Sequence, residues 1–261
     1  VRHSLDGHFA GNSPDMTQLG LPDTIQACLF DLDGVVTKTA VVHAAAWKET
    51  FDAFLRDYEG EQGRPFDAVT DYDEYVDGRP RADGVRAFLD SRGIHLPEGG
   101  PDDPPDARTV HGLGNRKNEL LLKKIRTGGV EAYEGTLRYL EAVRAAGLRT
   151  AIVSSSANCR DVLRAVGAEH FFDVRIDGVV AAERNLPGKP HPDTFLAAAR
   201  DLGVEASGAA VFEDALAGMD AGRAGGFGHV VGVDRVGQTD ALYAHGADIV
   251  VKDLAELGGK Q

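Results

Sequence analysis

The 261-residue chain is 43% hydrophobic, enough apolar material for one large domain or a core with a smaller second unit. Its formal charge of −13 argues against nucleic acid or an anionic membrane as partner, because a polyanion needs a clustered basic surface. No apolar stretch approaches the roughly 18 residues of a bilayer span, and the amino-terminal stretch lacks the apolar centre of a secretory signal.

Residues 1–21 are polar, glycine-rich and aperiodic, and read as a mobile arm, with the fold expected to start after Pro22. "IQACLF" (25–30) is a short apolar run ending abruptly at Asp31, the pattern of a buried strand. From Ala40 the pattern turns helical, with Val41, Ala44, Ala45, Phe51, Phe54 and Leu55 available for an apolar stripe. "RADGVRAFLDSRG" (81–93) and "NRKNELLLKKI" (115–125) read as helices, and between them "HLPEGGPDDPPDA" (95–107) is a loop too polar for a core. After Gly129 helices and strands alternate: helix 134–146, strand 149–154, helix 158–166, strand 172–176, helix 192–202, strand 209–212, helix 215–224, and strands 229–233 and 248–251. That rhythm predicts an α/β fold, a parallel sheet with helices on both faces. The first strand belongs to the same sheet, so residues 40–128 read as an inserted α-helical cap and residues 22–39 with 129–261 as the core. No internal repeat is present. Cys28 falls in a predicted strand and Cys159 on a predicted helix, which makes a disulfide framework unexpected and a reducing, cytoplasmic setting expected.

Four polar clusters follow predicted strands: Asp31 with Asp33, Ser154, Lys189 of "GKPHP", and Glu213 with Asp214. In an open α/β sheet that edge gathers ligands, so the four should converge. Carboxylates meeting there would repel unless a hard divalent cation sat among them, and a small set of oxygen ligands with room for water favours magnesium. Each residue also has a structural alternative when read alone. Asp31 and Ser154 suit turns, Asp33 a helix cap, Lys189 a solvated surface, and Glu213 with Asp214 an exposed acidic pair. Ser154 and the backbone amides after it, at a helix start, also form a ready phosphate seat. His43 and Trp47 lie one helical turn apart, as a packed core histidine and its aromatic neighbour would. "DLDG" fails as a calcium loop because Val35, Val36 and Val42 stand where a ligand, a glycine and a glutamate are needed. "GLGNRK" lacks the glycine pattern of a dinucleotide site, and no G-x-S-x-G elbow is present.

Taken in order, "DLDGVVT", "SSS", "GKPHPDTF" and "FEDALAG", with "HAAAW", "VDGRPRADG" and "GNRKNE" between the first two, resemble the haloacid dehalogenase superfamily and, within it, the β-phosphoglucomutase-like family. The likeness runs from about Ile25 to the last strand. It implies a Rossmann-like core with a helical cap, one magnesium per site, and phosphoryl transfer through an aspartyl phosphate. Asp31 is then the nucleophile, ionised at neutral pH and needing no deprotonation. Asp33 is the general acid and base, its pKa expected to rise when the cap excludes water. Ser154 and Lys189 complete the catalytic set, Lys189 offsetting charge on the phosphoryl group. The resemblance assigns the metal to Asp31, Asp33 through its backbone carbonyl, Glu213 and Asp214.

On the substrate side it implies Thr39, His43, Trp47, Gly78, Arg81, Lys117, Ser155, Ser156 and Asn158. His43 would bond near Asp33 with Lys117 as its partner, and Arg81, Ser156 and Asn158 would hold the phosphate that is not being transferred. Three features depart from the pattern: Lys38 before Thr39 at the hinge, Ala157 where the mutases carry lysine, and the enlarged 95–107 loop. The resulting expectation is a monomer acting on a sugar phosphate, a β-phosphoglucomutase primed by glucose 1,6-bisphosphate. A sugar-phosphate phosphatase on the same core and an idle sugar-phosphate-binding module are the alternatives.

Overall fold

The computed structural model describes residues 16–258; residues 1–15, most of the expected arm, and 259–261 lie outside the described residues. Met16–Leu19 forms a 3-10 turn, and Leu19 and Leu21 are buried in the core beside Tyr139, whose hydroxyl donates to the Leu19 carbonyl at 2.9 Å. The packed chain thus starts before Pro22, which corrects the expectation for residues 1–21. Two isolated leucines in a polar stretch carry no period, and only the groove beside Tyr139 gives them somewhere to be buried.

The core is a six-stranded parallel sheet, as the alternating pattern predicts. Its strands are β1 (Ala27–Phe30), β2 (Arg149–Val153), β3 (Val174–Ile176), β4 (Ala209–Glu213), β5 (His229–Val233) and β6 (Ile249–Val251), in the order β3-β2-β1-β4-β5-β6. The helices are α1 (Ala40–Glu59), α2 (Arg81–Ser91), α3 (Val110–Gly128), α4 (Glu134–Ala145), α5 (Cys159–Ala165), α6 (Gly178–Glu183), α7 (Asp193–Asp201), α8 (Leu216–Ala224) and α9 (Thr239–Ala244). The sequence reading missed α6 and α9, six residues each and too short to show a period.

Alternate residues of β1 serve opposite faces. Cys28 and Phe30 pack with Tyr139, Leu140 and Val143 of α4 and Val162 and Leu163 of α5. Ala27 and Leu29 pack with Phe195 and Ala198 of α7, Met219 of α8 and Leu242 of α9. The sheet is therefore covered on both faces, and with β1 buried on both sides its four residues read as one unbroken apolar run.

Residues 40–128 build a separate aromatic core in which Phe51 of α1 meets Phe88 of α2 (centroids 4.1 Å apart) and stacks on Trp47 (5.1 Å), closed by Val110 and Leu113 of α3. The buried stripe of α1 is Ala46, Trp47, Thr50, Phe51, Phe54 and Leu55. Val41 is 72% exposed and Ala45 is also exposed, contrary to expectation, because at 100° per residue Ala45 lies across the helix from the face of Trp47, Phe51 and Phe54, and Val41, on the first turn, lies to the side of it. Helix α3 starts five residues earlier than the sequence pattern suggests. Thr109 Oγ1 caps it by accepting from Gly112 N (2.9 Å) and donates in turn to Asp103 Oδ2 (2.6 Å). The 95–107 loop is thereby tied down, and Asn115 Nδ2 donates to the carbonyls of Pro101 (3.0 Å) and Asp103 (2.8 Å). Lys38, the unexpected cation at the hinge, pairs the two chain crossings, its amide donating to the Glu131 carbonyl and its Nζ lying 2.8 Å from Glu131 Oε2.

Candidate active site

The chain after β1 turns back on one side of the sheet toward β2 and later crosses to β4 on the other, so the carboxyl ends of all three strands face one crevice. Register sets the height. Phe30 pairs with Phe212 and with Ile152, and Asp31 N donates to Phe212 O at 3.0 Å. Asp31 therefore stands level with Glu213 and Val153. The loop after α6 brings Lys189 into this gap, where its Nζ lies 2.7 Å from Asp31 Oδ1, 2.6 Å from Glu213 Oε1 and 2.9 Å from the Val153 carbonyl. Lys189 is 1% exposed. Burial lowers the affinity of its amine for a proton, but the two carboxylates outweigh it and hold the ammonium above the usual lysine range.

Asp31, Glu213 and Asp214 offer carboxylate oxygens that all lie within 4.8 Å of one another. Asp214 Oδ1 is buried without any hydrogen-bond partner, and Gly34 (φ 85°) leaves the space its other oxygen occupies, where a Cβ would overlap Oδ2. An orphaned buried oxygen within an all-oxygen donor set fits a hard divalent cation such as magnesium. The Asp33 side chain lies outside this trio.

Without that cation the carboxyls are strained electrostatically. Burial, then Glu213, push Asp31 up against the pull of Lys189; burial, then Asp77, push Asp214 up; burial holds Asp77 at about 7. A carboxyl raised in the folded chain contributes stability below its unfolded value and loses it as pH rises through the folded one. Buried His43 is lowered and buried Lys117 is brought down to about 7, and both oppose this; Lys117 offsets Asp77 above pH 7, so Asp31 and Asp214 set the sign. We expect the metal-free protein to melt higher at about pH 6 than at about pH 8, and magnesium to shrink the difference; melting curves in chelator and in magnesium check this.

Asp33 points the other way. Its Oδ1 accepts from the Thr39 hydroxyl and lies 3.3 Å from His43 Nε2, and His43 Nδ1 lies 2.9 Å from Lys117 Nζ. Burial alone would raise the Asp33 carboxyl, yet His43, Thr39 and Lys117 together bring it down to about 2. This corrects the expectation of a raised value: the cap that excludes water also delivers the groups that stabilise the anion. Lys117 is in turn brought down to about 7 by burial, with Arg81 adding to the effect, and lies 4.8 Å above the Trp47 ring. Thr39 was expected to face substrate. It is 1% exposed, off the cavity lining and bonded to Asp33 and Thr37, so its place is behind the carboxylate.

A cavity of about 420 Å³ joins these groups to the cap, and Asp31, Asp33, His43, Trp47, Gly78, Arg81, Lys117, Ser154, Ser155, Ser156 and Asn158 all line it. Arg81 opens α2, is half-buried, and has no hydrogen-bond or ion-pair partner among the described residues. Ser154 Oγ accepts from Ser156 N and Ser156 Oγ from Asn158 N, both at 3.1 Å, which folds the chain into a tight turn before α5. Ser155 and Asn158 are committed to the cap, Ser155 Oγ donating to the Gly78 carbonyl (2.7 Å) and Asn158 Nδ2 to Asn118 Oδ1 (2.9 Å). The sequence reading did not single out Asn118, Asp77, Tyr72, Arg79, Pro101 or His111, which also line the cavity. Asn118 follows Lys117 directly and Asp77 sits in "VDGRPR", so adjacency was the available signal. Pro101 had none, since only the tethered 95–107 loop brings it there.

A family model described as haloacid dehalogenase-like hydrolase matches residues 25–226. The chain is 57% identical over 257 residues to the β-phosphoglucomutase of Mycobacterium tuberculosis, covering 95% of this chain and 98% of that one. Among solved structures it is similar to β-phosphoglucomutase of Clostridium difficile (26% identity, TM-score 0.69, covering 89% of this chain and 93% of that one). It is also similar to CbbY of Rhodobacter sphaeroides in complex with xylulose-(1,5)bisphosphate (25% identity, TM-score 0.67, covering 90% and 96%). No helix among the described residues is long and apolar enough to cross a membrane.

Proposed function

The chain belongs to the haloacid dehalogenase-like hydrolase family, and from that premise we propose that it is a β-phosphoglucomutase, moving a phosphoryl group between C1 and C6 of β-glucose through the 1,6-bisphosphate. The observation that carries this reading is one cavity with an acceptor for phosphoryl at one end, Asp31, and at the cap end a guanidinium, Arg81, without a partner among the described residues. A bisphosphate needs both ends held, and a guanidinium fork suits the phosphate that stays. The likeness to a bisphosphate-bound structure and to a curated mutase over nearly the full chain supports the same reading.

In the first half-reaction phospho-Asp31 gives its phosphoryl group to the sugar's C6 hydroxyl. Asp33, held as an anion by Thr39 and His43, takes the hydroxyl proton as the new O–P bond forms. The bisphosphate then turns so that its C1 phosphate faces Asp31. In the second half, Asp31 attacks that phosphorus, the bond to O1 breaks, and Asp33 returns the same proton to O1, so glucose 6-phosphate leaves and the aspartyl phosphate is restored. Lys189 stays protonated throughout and balances charge on Asp31 and the equatorial phosphoryl oxygens. Magnesium held by Asp31, Glu213, Asp214 and the Asp33 carbonyl would supply further positive charge to the transferring group. Ser154 and the amides behind it seat the phosphoryl at the turn before α5.

The direct test incubates the protein with magnesium, β-glucose 1-phosphate and a trace of the 1,6-bisphosphate while glucose 6-phosphate and free phosphate are followed separately. Isomer without phosphate release is expected; stoichiometric phosphate release would make the chain a phosphatase, with water as the acceptor. For Arg81→Ala we expect isomerisation to fall about 10- to 100-fold, the worth of a charged hydrogen bond, with a smaller loss in hydrolysis of a simple phosphate ester. Equal losses in the two assays would remove Arg81 from the distal seat.

A further inference from the structure

One buried acid of the cavity takes no part in the phosphoryl transfer above. Asp77 closes the π-helical turn Tyr72–Val76, its amide donating to the Tyr72 carbonyl (2.9 Å), and its side chain is in polar contact with the Tyr72 hydroxyl. It is only 8% exposed, lines the cavity, and forms no ion pair with a lysine, arginine or histidine among the described residues. Its charged neighbours are instead acids: Glu213, Asp73 and Asp33 act on it, and Asp77 is the charge that weighs most on Asp214.

The segment that carries Asp77 is also where the cap rests on the core. The Gly78 carbonyl accepts from Ser155, and Gly78 (φ 69°) presses so closely on the loop after β4 that a Cβ there would lie 2.9 Å from the Ala215 Cβ. Pro80 packs directly against Gly188, next to Lys189. Seating the cap therefore adds a buried, uncompensated carboxylate to a site that already holds three carboxylates and a single lysine. Like charges in a water-poor crevice oppose that approach, and no cation of the described chain offsets it.

We propose that Asp77 is a positioning residue that links cap seating to the metal, its carboxylate facing the water shell of a divalent cation held by Asp31, Glu213 and Asp214. This rests on the magnesium reading of the preceding subsection. Magnesium keeps several of its waters, and a carboxylate that accepts from them orients the ion without replacing a ligand. With the cation bound, Asp77 favours the seated cap; without it, Asp77 pushes the cap away.

Trp47 is the chain's single tryptophan and stands in the cavity wall beside Lys117, so its fluorescence reports how the cap sits. The test titrates magnesium alone, with no substrate, into wild type, Asp77→Asn and Tyr72→Phe, following calorimetric binding and Trp47 emission together. Asp77→Asn keeps a carbonyl acceptor for Tyr72 and removes only charge. It should bind magnesium about 10-fold more weakly, lose most of the Trp47 response, and melt higher than wild type in chelator. Tyr72→Phe keeps the charge and should keep both the affinity and the response. Wild-type affinity and response in Asp77→Asn would overturn the inference, as would an equal loss in Tyr72→Phe or a lower metal-free melting temperature of Asp77→Asn, either of which would mark a structural role. Absence of magnesium uptake by wild type would overturn the metal reading as well, whereas uptake indifferent to Asp77 overturns this inference alone.

Discussion

Asp31→Asn should lose turnover by about four orders of magnitude or more, in isomerisation and in ester hydrolysis alike, because both begin with the same O–P bond to this side chain. The amide keeps the shape of the carboxylate and can still accept from Lys189 at the 2.7 Å contact, so the fold should survive. It also removes one member of the repelling trio, which leads us to expect a metal-free melting temperature at or above that of wild type. Acid quench after incubation with the radiolabelled bisphosphate reads the result: label should stay on wild-type protein and be absent from the variant. Labelled Asp31→Asn, or turnover within tenfold of wild type, would place the acceptor elsewhere.

Lys189→Met attacks the same point from the other side and should act first on the fold. The ammonium is the only cation within ion-pair distance of Asp31 and Glu213 among the described residues, and both carboxylates are buried. Removing one partner of a buried pair leaves charge without compensation, a loss of about 3–5 kcal/mol. The wild-type contribution should be flat with pH across the ordinary range. A lysine raised in the folded state keeps its stabilising effect below the unfolded value and loses it only on passing the higher folded one. In Lys189→Met, by contrast, lowering the pH should recover stability as the raised Asp31 carboxyl takes up a proton, and magnesium should recover part of it at neutral pH. Denaturant titrations with and without the metal measure both effects. A loss below about 1 kcal/mol would mean that the carboxylates were never relying on this ammonium.

The two variants separate contributions that the geometry entangles. Asp31 is both a third of the trio and, in the proposed reaction, the residue that accepts phosphorus, whereas Lys189 pairs with it and with Glu213 and is not among the residues that line the cavity. Loss of turnover with an intact fold is expected for the first, loss of fold together with turnover for the second. The Asp33 group adds a third element, set by the cap. Its carboxylate stays an anion despite burial because His43, Thr39 and Lys117 offset the desolvation that would otherwise raise it.

Much of the core was legible because its signals are local. "CLF" before Asp31 and "AVF" before Glu213 are apolar runs that stop abruptly at a carboxylate, and in a parallel sheet the end of such a run marks the ligand edge. The cap was less legible. Val41 and Ala45 belong to the helical stretch but lie off the buried phase, which became clear only once Trp47 and Phe51 had chosen their face against Phe88. Thr39 looked like a residue facing substrate and is instead packed behind Asp33, because the turn between β1 and α1 folds Thr37 and Thr39 together at 2.8 Å. Asp77 was in plain view within "VDGRPR", yet nothing nearby in sequence hints that its charge bears on Asp214, 137 positions later.

Composition and the alternation of helix and strand were enough to predict a parallel α/β sheet with acids and a lysine gathered at its strand ends, while phosphoryl chemistry was only what the resemblance of the ordered motifs implied. Those features depend on period and on strand ends, which a chain carries in its local order. Folding in three dimensions decided that Asp33 is held as an anion rather than a raised acid, that Leu19 and Leu21 belong to the core, and that a tethered loop walls the cavity. The reason is physical: a carboxyl's proton affinity and a side chain's burial are set by whatever lies within a few ångströms, and His43 with Lys117, or Leu19 with Tyr139, become neighbours only when residues 74 and 120 positions apart are brought together.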